Sequence, residues 1–260
     1  MPRALTVAGS DSGGGAGVQA DLKTFTVLGV YGLSVLTSVT AQNTLEVSAL
    51  LDLPEQFVGA QFDAVMNDIG CEAAKLGMLS NEKIIKTVAE KIDLYRIEKL
   101  VVDPVMSSKG GTALLKNSTE LLKKEILPRA LIVTPNIPEA EILSSASISN
   151  ISDMKTAAEK IHLLGAKTVL IKGGHLEKDL PAVDIFFDGE TFEELVSERI
   201  ETNNTHGTGC TLSAAVCAFL AKGIPLRHSL KNSKVFVTGA IKNSLKIGKG
   251  HGPLKHFWKT

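Results

Sequence analysis

Short apolar, β-branched runs recur along the chain, separated by longer segments in which apolar positions return every three or four residues. "ALTVAG" leads into "GVQADLKTFTVLG" and then "LSVLTSVTA", and the later runs are "AAKLGM", "KLVVDPVM", "ALIVTP" and "KTVLIKGG". The short runs read as strands and the periodic segments as helices, so their alternation predicts βαβ units and a mainly parallel sheet. In the first helical segment Val18, Leu22, Phe25 and Leu28 fall at spacings of four and three, a stripe that faces a core. Asp21 adjoins that stripe, where it serves either as an acid near a helix start or as a carboxylate beside a ligand. The rhythm changes at "VDIFFDGETFEELVSERI", where Asp188-Gly189 between two strand-like runs signals a hairpin.

Unusual residues gather at the ends of the strands. "VAGSDSGGGAG", "TAQNT", "LGM", "VVDPVM", "IVTPNIPEAE" and "LIKGGH" each bring Gly, Pro or a polar side chain to what should be one face. Turn chemistry accounts for the glycines. It accounts less well for Gln42, Asp103 and Asn136, and open parallel sheets bind ligands along their carboxyl edge.

Composition narrows the partner. The 260 residues are 44% apolar, enough for a substantial core, and no Pro-, Gly- or Ser-rich linker divides them, so one domain over 1–260 is expected. Lys plus Arg and Asp plus Glu both number 28, which offers no basic field for nucleic acid and favours a small molecule. No stretch approaches the roughly 20 apolar residues of a membrane span. Cys71, Cys210 and Cys217 form no C-x-x-C pair and the histidines no H-x-x-x-H pair, so neither a disulfide framework nor a structural zinc site is indicated, and a cytoplasmic location is expected.

The familiar nucleotide motifs fail. Gly13, Gly14, Gly15 and Gly17 suggest a dinucleotide turn, but the last glycine of G-x-G-x-x-G is replaced by Val18. Gly248-Lys249 lacks the rest of a phosphate-binding loop. What remains is "NTHGTGCTLSAAVCAFLA": Gly207, Thr208 and Gly209 permit close backbone approach, and the helix that follows would aim its first amides at an anion. Cys210 in that field would have a lowered pKa and be competent to take a proton. Cys217, seven residues on in an apolar run, reads as core packing.

"AGSDSGGGAGVQADLKTFTVLGVYGLSVLTSVTAQNT", "KLGML", "VVDPVM", "VTPNIPEAEIL", "VLIKGGH", "NTHGTGCTLSAA" and "GKGHGPLKHF" together resemble the hydroxymethylpyrimidine and phosphomethylpyrimidine kinases of thiamine biosynthesis. The resemblance is colinear over nearly the whole chain. It implies a ribokinase-like, three-layer α/β/α sandwich with a mostly parallel central sheet. The implied activity is an ATP- and Mg²⁺-dependent kinase that phosphorylates the pyrimidine's hydroxymethyl group and then the resulting phosphate. On the matching positions, Gln42 would read the aminopyrimidine edge, the backbone around Ala16 and Val105 would complete the contacts, Asp21 would bind the hydroxymethyl group, and Met78 would pack on the ring. Gly207, Thr208 and Gly209 would form the anion hole, with Cys210 as base, not covalent nucleophile. Asp103 and Glu139 would organise Mg²⁺, and Thr134, Asn136, Lys172 and Gly173 would lie along the nucleotide. Relatives in the superfamily suggest a homodimer.

The segment "SSKGGTALL" departs from the family pattern near Thr112, where relatives often carry Asp or His. It would form a flap over the substrate, with Lys109 offering a charge to phosphate. A pyridoxal or pyridoxine kinase is the neighbouring alternative, since its ring is also flat and bears a hydroxymethyl group. A non-catalytic pyrimidine-binding regulator is disfavoured by the presence of Cys210, the glycine turn, Asp103 and Glu139.

Overall fold

The computed structural model describes residues 1–106, 118–174 and 181–258. Lys109 and Thr112, and with them the expected flap, lie outside the described residues.

The strands alternate their side chains between two cores, as a pleated strand must. Leu5 and Val7 of β1 (Arg3–Asp11) enter one core and Ala4 the other. Leu100 and Val102 of β5 (Leu100–Val102) face the first and Val101 the second, and the central strands carry apolar residues on both faces because helices cover both. The first core is closed by α2 (Glu55–Asp68), α3 (Glu82–Leu94), α5 (Ile137–Ser144) and α6 (Ile151–His162), which contribute Phe62, Ile85, Ala140 and Met154. A short α4 (Thr119–Leu121) precedes the third of these. The second core is closed by α1 (Gly17–Val27), α7 (Thr208–Ala221) and α8 (Leu226–Lys242), through Phe25, Ala214, Val216 and Phe236. Each fully buried Phe or Leu is worth about 1.5–3 kcal/mol.

Among the described residues there are nine strands in one sheet, ordered β3-β2-β1-β4-β5-β6-β7-β8-β9. The additional members are β2 (Tyr31–Gln42), β3 (Val47–Asp52), β4 (Ala73–Leu76), β6 (Ile132–Val133), β7 (Val169–Ile171), β8 (Ala182–Phe187) and β9 (Phe192–Ser197). The pairs from β2 through β7 are parallel, and the outer pairs β2–β3, β7–β8 and β8–β9 are antiparallel. This is the expected mostly parallel three-layer sandwich. The Asp188-Gly189 hairpin is present: Asp188 Oδ1 accepts the Glu190 and Thr191 N–H groups, and Gly189 takes φ +98°. The β3 edge strand went unpredicted, because "VSALLD" lacks a clean alternation and has exposed apolar residues such as Leu51.

From β1 the chain adds β2 on one side and later β4 on the other, so the strand order reverses at β1. Such a reversal opens a crevice at the carboxyl edge. A bulge between Ala8 and Ser10 breaks the β1–β2 register there, and bulges re-aim residues next to functional sites.

Candidate active site

A cavity of about 670 Å³ runs along that edge. Its walls come from the ends of β1, β2, β4 and β5, the start of α5, the Lys172–Gly174 turn and the first turn of α7.

The glycine turn before α7 is there for two physical reasons. Gly207 adopts φ +83°, and a Cβ on it would lie 1.9 Å from the Gly15 carbonyl oxygen. Only glycine satisfies both. The turn therefore presses directly on the loop after β1, and Thr208, Gly209 and Cys210 of the first turn of α7 line the cavity. Cys210 sits in this first turn, half-buried.

Contrary to expectation, the Cys210 thiol is pushed up to about 11. Burial dominates, opposed mainly by the Lys75 charge and reinforced by the carboxylates Asp21 and Asp103. The helix field does not win, because desolvation of a thiolate outweighs a partial charge at a helix end. A raised pKa makes the thiolate a stronger base and a rarer one.

Asp21 is also placed differently than expected. It is fully buried behind the cavity wall, where Oδ2 accepts Lys75 Nζ at 2.8 Å and the Thr6 hydroxyl at 2.6 Å. Lys75 takes the position in β4 that the alternation would give to an apolar residue facing α1 and α7, and Asp21 next door holds its ammonium above the ordinary value despite burial. Lys75, not Asp21, reaches the cavity floor. Removing one member of such a pair leaves a buried charge and costs about 3–5 kcal/mol. The lone lysine in "AAKLGM" was the available signal.

At one end of the cavity stands Gln42, half-buried. Its backbone is clamped by Ser12, whose Oγ accepts the Gln42 N–H and donates to the Gln42 carbonyl, both at 2.8 Å. Its amide lies 3.0 Å from Thr40 Oγ1 and 3.5 Å from His206 Nε2. His206 Nε2 is 2.9 Å from Asp11 Oδ2, and Asp11 also accepts N–H groups from Gly13, Gly15 and Ala16. Burial raises the Asp11 pKa, but the His206 contact and these amides outweigh it and hold the group below its usual range. Asp11 and His206 stand 195 positions apart, which is why sequence reasoning did not join them.

The remaining expected residues divide. Met78 lines the cavity and packs over Gly9, where a Cβ would meet its methyl group at 2.5 Å. Ala16 and Val105 line it too, but the Ala16 N–H is committed to Asp11 and the Val105 N–H to the Asp103 carbonyl at 2.8 Å. At the other end lie Asp103, Asn136, Glu139 and Lys172. Thr134 is sealed beneath Asp103 and does not line the cavity. Gly173 does not either: it packs on the Val183 carbonyl and donates to Asp184 Oδ1, leaving Gly174 at the wall.

Lys172 Nζ donates to Asp103 Oδ1 at 2.8 Å and is nearly buried, so it is no solvated strand-end lysine. Burial lowers its pKa, but Asp103 and Glu139 more than compensate. Glu139 completes a capping box with Asn136, each side chain taking the other's N–H. Burial and the nearby Asp103 push Glu139 up to about 7, against the pull of Lys172.

A cavity of this volume, with polar groups gathered at its two ends and a thiol at a helix start between, is that of an α/β enzyme acting on small molecules. Residues 11–255 match the family described as phosphomethylpyrimidine kinase, and the chain belongs to that family. It is 48% identical over 256 residues to the hydroxymethylpyrimidine/phosphomethylpyrimidine kinase of Bacillus subtilis, with 98% of this chain and 94% of the relative covered. It is 51% identical to the thiamine biosynthesis bifunctional protein ThiED of Geobacter sulfurreducens over 97% of this chain, which spans only 52% of that longer relative. Among solved structures, the ADP complex of Bacillus subtilis pyridoxal kinase is similar at a TM-score of 0.92 and 42% identity, covering 98% of this chain and 97% of that one.

Proposed function

We propose that this chain uses ATP to phosphorylate 4-amino-5-hydroxymethyl-2-methylpyrimidine and then its monophosphate. The observation that carries the reading is the placement of Cys210 under the α7 amides, between Gln42 at one end of the cavity and Lys172 with Asp103 and Glu139 at the other. Phosphoryl transfer needs positioning and charge neutralisation more than covalent help. Gln42 orients the ring, and Cys210 receives the hydroxyl proton as the new O–P bond forms and the bond to the departing diphosphate breaks. The α7 amides and Lys172 meet the developing charge on the phosphoryl oxygens.

Mg²⁺ fits the donor set. Asp103 and Glu139 would offer hard oxygen ligands, and Glu139 resists ionising chiefly because it is buried and further because Asp103 is near, a cost that a divalent cation would relieve. Among the described residues no third acid, His or Cys joins them, consistent with an ion that keeps several waters. When bound it would neutralise phosphate charge.

In this reading residues 1–260 act as one catalytic unit, in the cytoplasm, as a homodimer. The exposed apolar pair Val39 and Leu51, cross-strand neighbours on β2 and β3, supports self-association, which light scattering after size exclusion would measure. The similarity to a pyridoxal kinase favours pyridoxal as a second substrate. ADP release coupled to NADH oxidation, with the aminopyrimidine, its monophosphate and pyridoxal in turn, ranks them by kcat/KM. Absence of turnover on both pyrimidines would end the main reading.

A further inference from the structure

Four polar groups around Gln42 impose a direction on its amide. Asp11 Oδ2 is a carboxylate oxygen held by two backbone N–H groups, and it can only accept. His206 Nε2, 2.9 Å away, must therefore carry a proton, whether the ring is neutral or charged. At the other side, Thr40 Oγ1 has one proton and two neighbours that call for it: the Ser10 carbonyl at 2.9 Å and the Gln42 amide at 3.0 Å.

The amide has two orientations related by a half-turn. With oxygen toward Thr40, its NH₂ meets the His206 N–H at 3.5 Å, donor against donor, and Oε1 competes with the Ser10 carbonyl for a single hydroxyl proton. With nitrogen toward Thr40, every group finds a partner. Thr40 donates to Ser10 and accepts from Gln42 Nε2, while Oε1 faces the His206 N–H that Asp11 shares. Networks of this kind decide amide orientation, because an unmade bond on a half-buried polar group costs more than a long one.

We infer that the Asp11–His206 pair is a positioning element that turns the Gln42 amide oxygen toward His206 and its nitrogen toward Thr40, and thereby selects substrates with a donor next to the hydroxymethyl-bearing carbon. In this reading the hydroxymethyl group points to Cys210, on the turn that carries His206, and the amide oxygen takes the end of the pyrimidine edge next to it. The remaining lone pair of Oε1 accepts from an exocyclic amino group there. The remaining Nε2–H donates to the adjacent ring nitrogen. A 4-oxo ring presents the reverse order, an acceptor beside the hydroxymethyl carbon and an N–H beyond it, and meets this amide acceptor to acceptor and donor to donor. The inference rests on Gln42 reading the pyrimidine edge, and it adds which way Gln42 reads and what makes it do so.

Two measurements test it. In ligand-free protein carrying ¹⁵N-histidine, NMR should show the His206 Nε2 nitrogen protonated throughout the neutral range. A ring protonated on Nδ1 alone would overturn the inference without reference to catalysis. In kinetics, the chain should prefer the 4-amino substrate over 5-hydroxymethyl-2-methylpyrimidin-4-one by at least about 10²-fold in kcat/KM, since a hydrogen-bonding site rejects a mismatched edge strongly. His206→Leu should shrink that ratio at least tenfold, and His206→Gln, which keeps an N–H donor, should recover part of it. A general loss of activity with the ratio intact would mark His206 as merely structural and refute the assignment. Should the wild-type protein phosphorylate neither ring, the kinase reading fails while the NMR result still decides the amide's direction.

Discussion

Gly207→Ala separates the strain of a backbone conformation from its catalytic consequence. At φ +83° an alanine costs on the order of 1–3 kcal/mol. For a chain of this size that corresponds to a melting-temperature drop of roughly 2–4 °C per kcal/mol. The new methyl would also stand 1.9 Å from Gly15 O and 2.9 Å from the Gly15 carbonyl carbon, so one of the two loops must withdraw by more than an ångström to reach ordinary contact. Gly15 and Ala16 are tethered to Asp11 and cannot yield cheaply, so the displacement passes into the first turn of α7. A misplacement of about 1 Å at the reacting centre costs about 10²-fold. Gly223, just past the other end of α7, provides the control, with φ +78° and nothing within 4 Å of where an alanine methyl would stand. Both alanine variants should melt earlier in differential scanning fluorimetry, and only Gly207→Ala should lose about two orders of magnitude in kcat. A Gly207→Ala enzyme within twofold of wild type, or an equal kcat loss in Gly223→Ala, would refute the reasoning.

Cys210→Ala should keep pyrimidine binding by calorimetry while kcat falls about 10²- to 10⁴-fold, the usual contribution of a general base; an undiminished kcat removes Cys210 from that role. Glu139 has a folded pKa raised from 4.5 to about 7, so it stabilises the fold fully below pH 4.5 and loses that contribution as pH rises through 7, by up to about 3 kcal/mol. Glu139→Gln should flatten the decline of metal-free melting temperature between pH 5 and 8, and an unchanged slope contradicts the assignment. Lys75→Met should cost about 3–5 kcal/mol in denaturant unfolding, and adding Asp21→Leu should restore most of it, because removing both charges leaves neither unpaired. Equal losses in the single and double variants would show that the pair is not what holds this region.

The layered fold was legible because parallel strands buried on both faces must be short apolar runs, and helices between them must be amphipathic. The β3 strand was not, since an edge strand with exposed Leu51 obeys neither rule. In the cavity, Gln42, Asp103 and Asn136 announced themselves as residues that turn chemistry alone would not require, the Gly207–Cys210 turn as a helix start, and Lys172 only through the family resemblance. Asp21 was ambiguous because a carboxylate near a helix start looks the same whether it meets a ligand or a buried lysine. Thr134 and Gly173 lie one layer behind the wall, a depth that sequence does not encode. The Cys210 pKa went the wrong way for a related reason: a helix start is visible in "GTGC", while the desolvation around it is a property of the packed molecule.

The central claim is most directly tested by the stoichiometry of ADP release. With excess ATP and Mg²⁺ and a limiting amount of the hydroxymethyl aminopyrimidine, run to completion, two equivalents of ADP per pyrimidine are expected. One equivalent would remove the second phosphorylation, and ADP no greater than in a pyrimidine-free control would contradict the account as a whole.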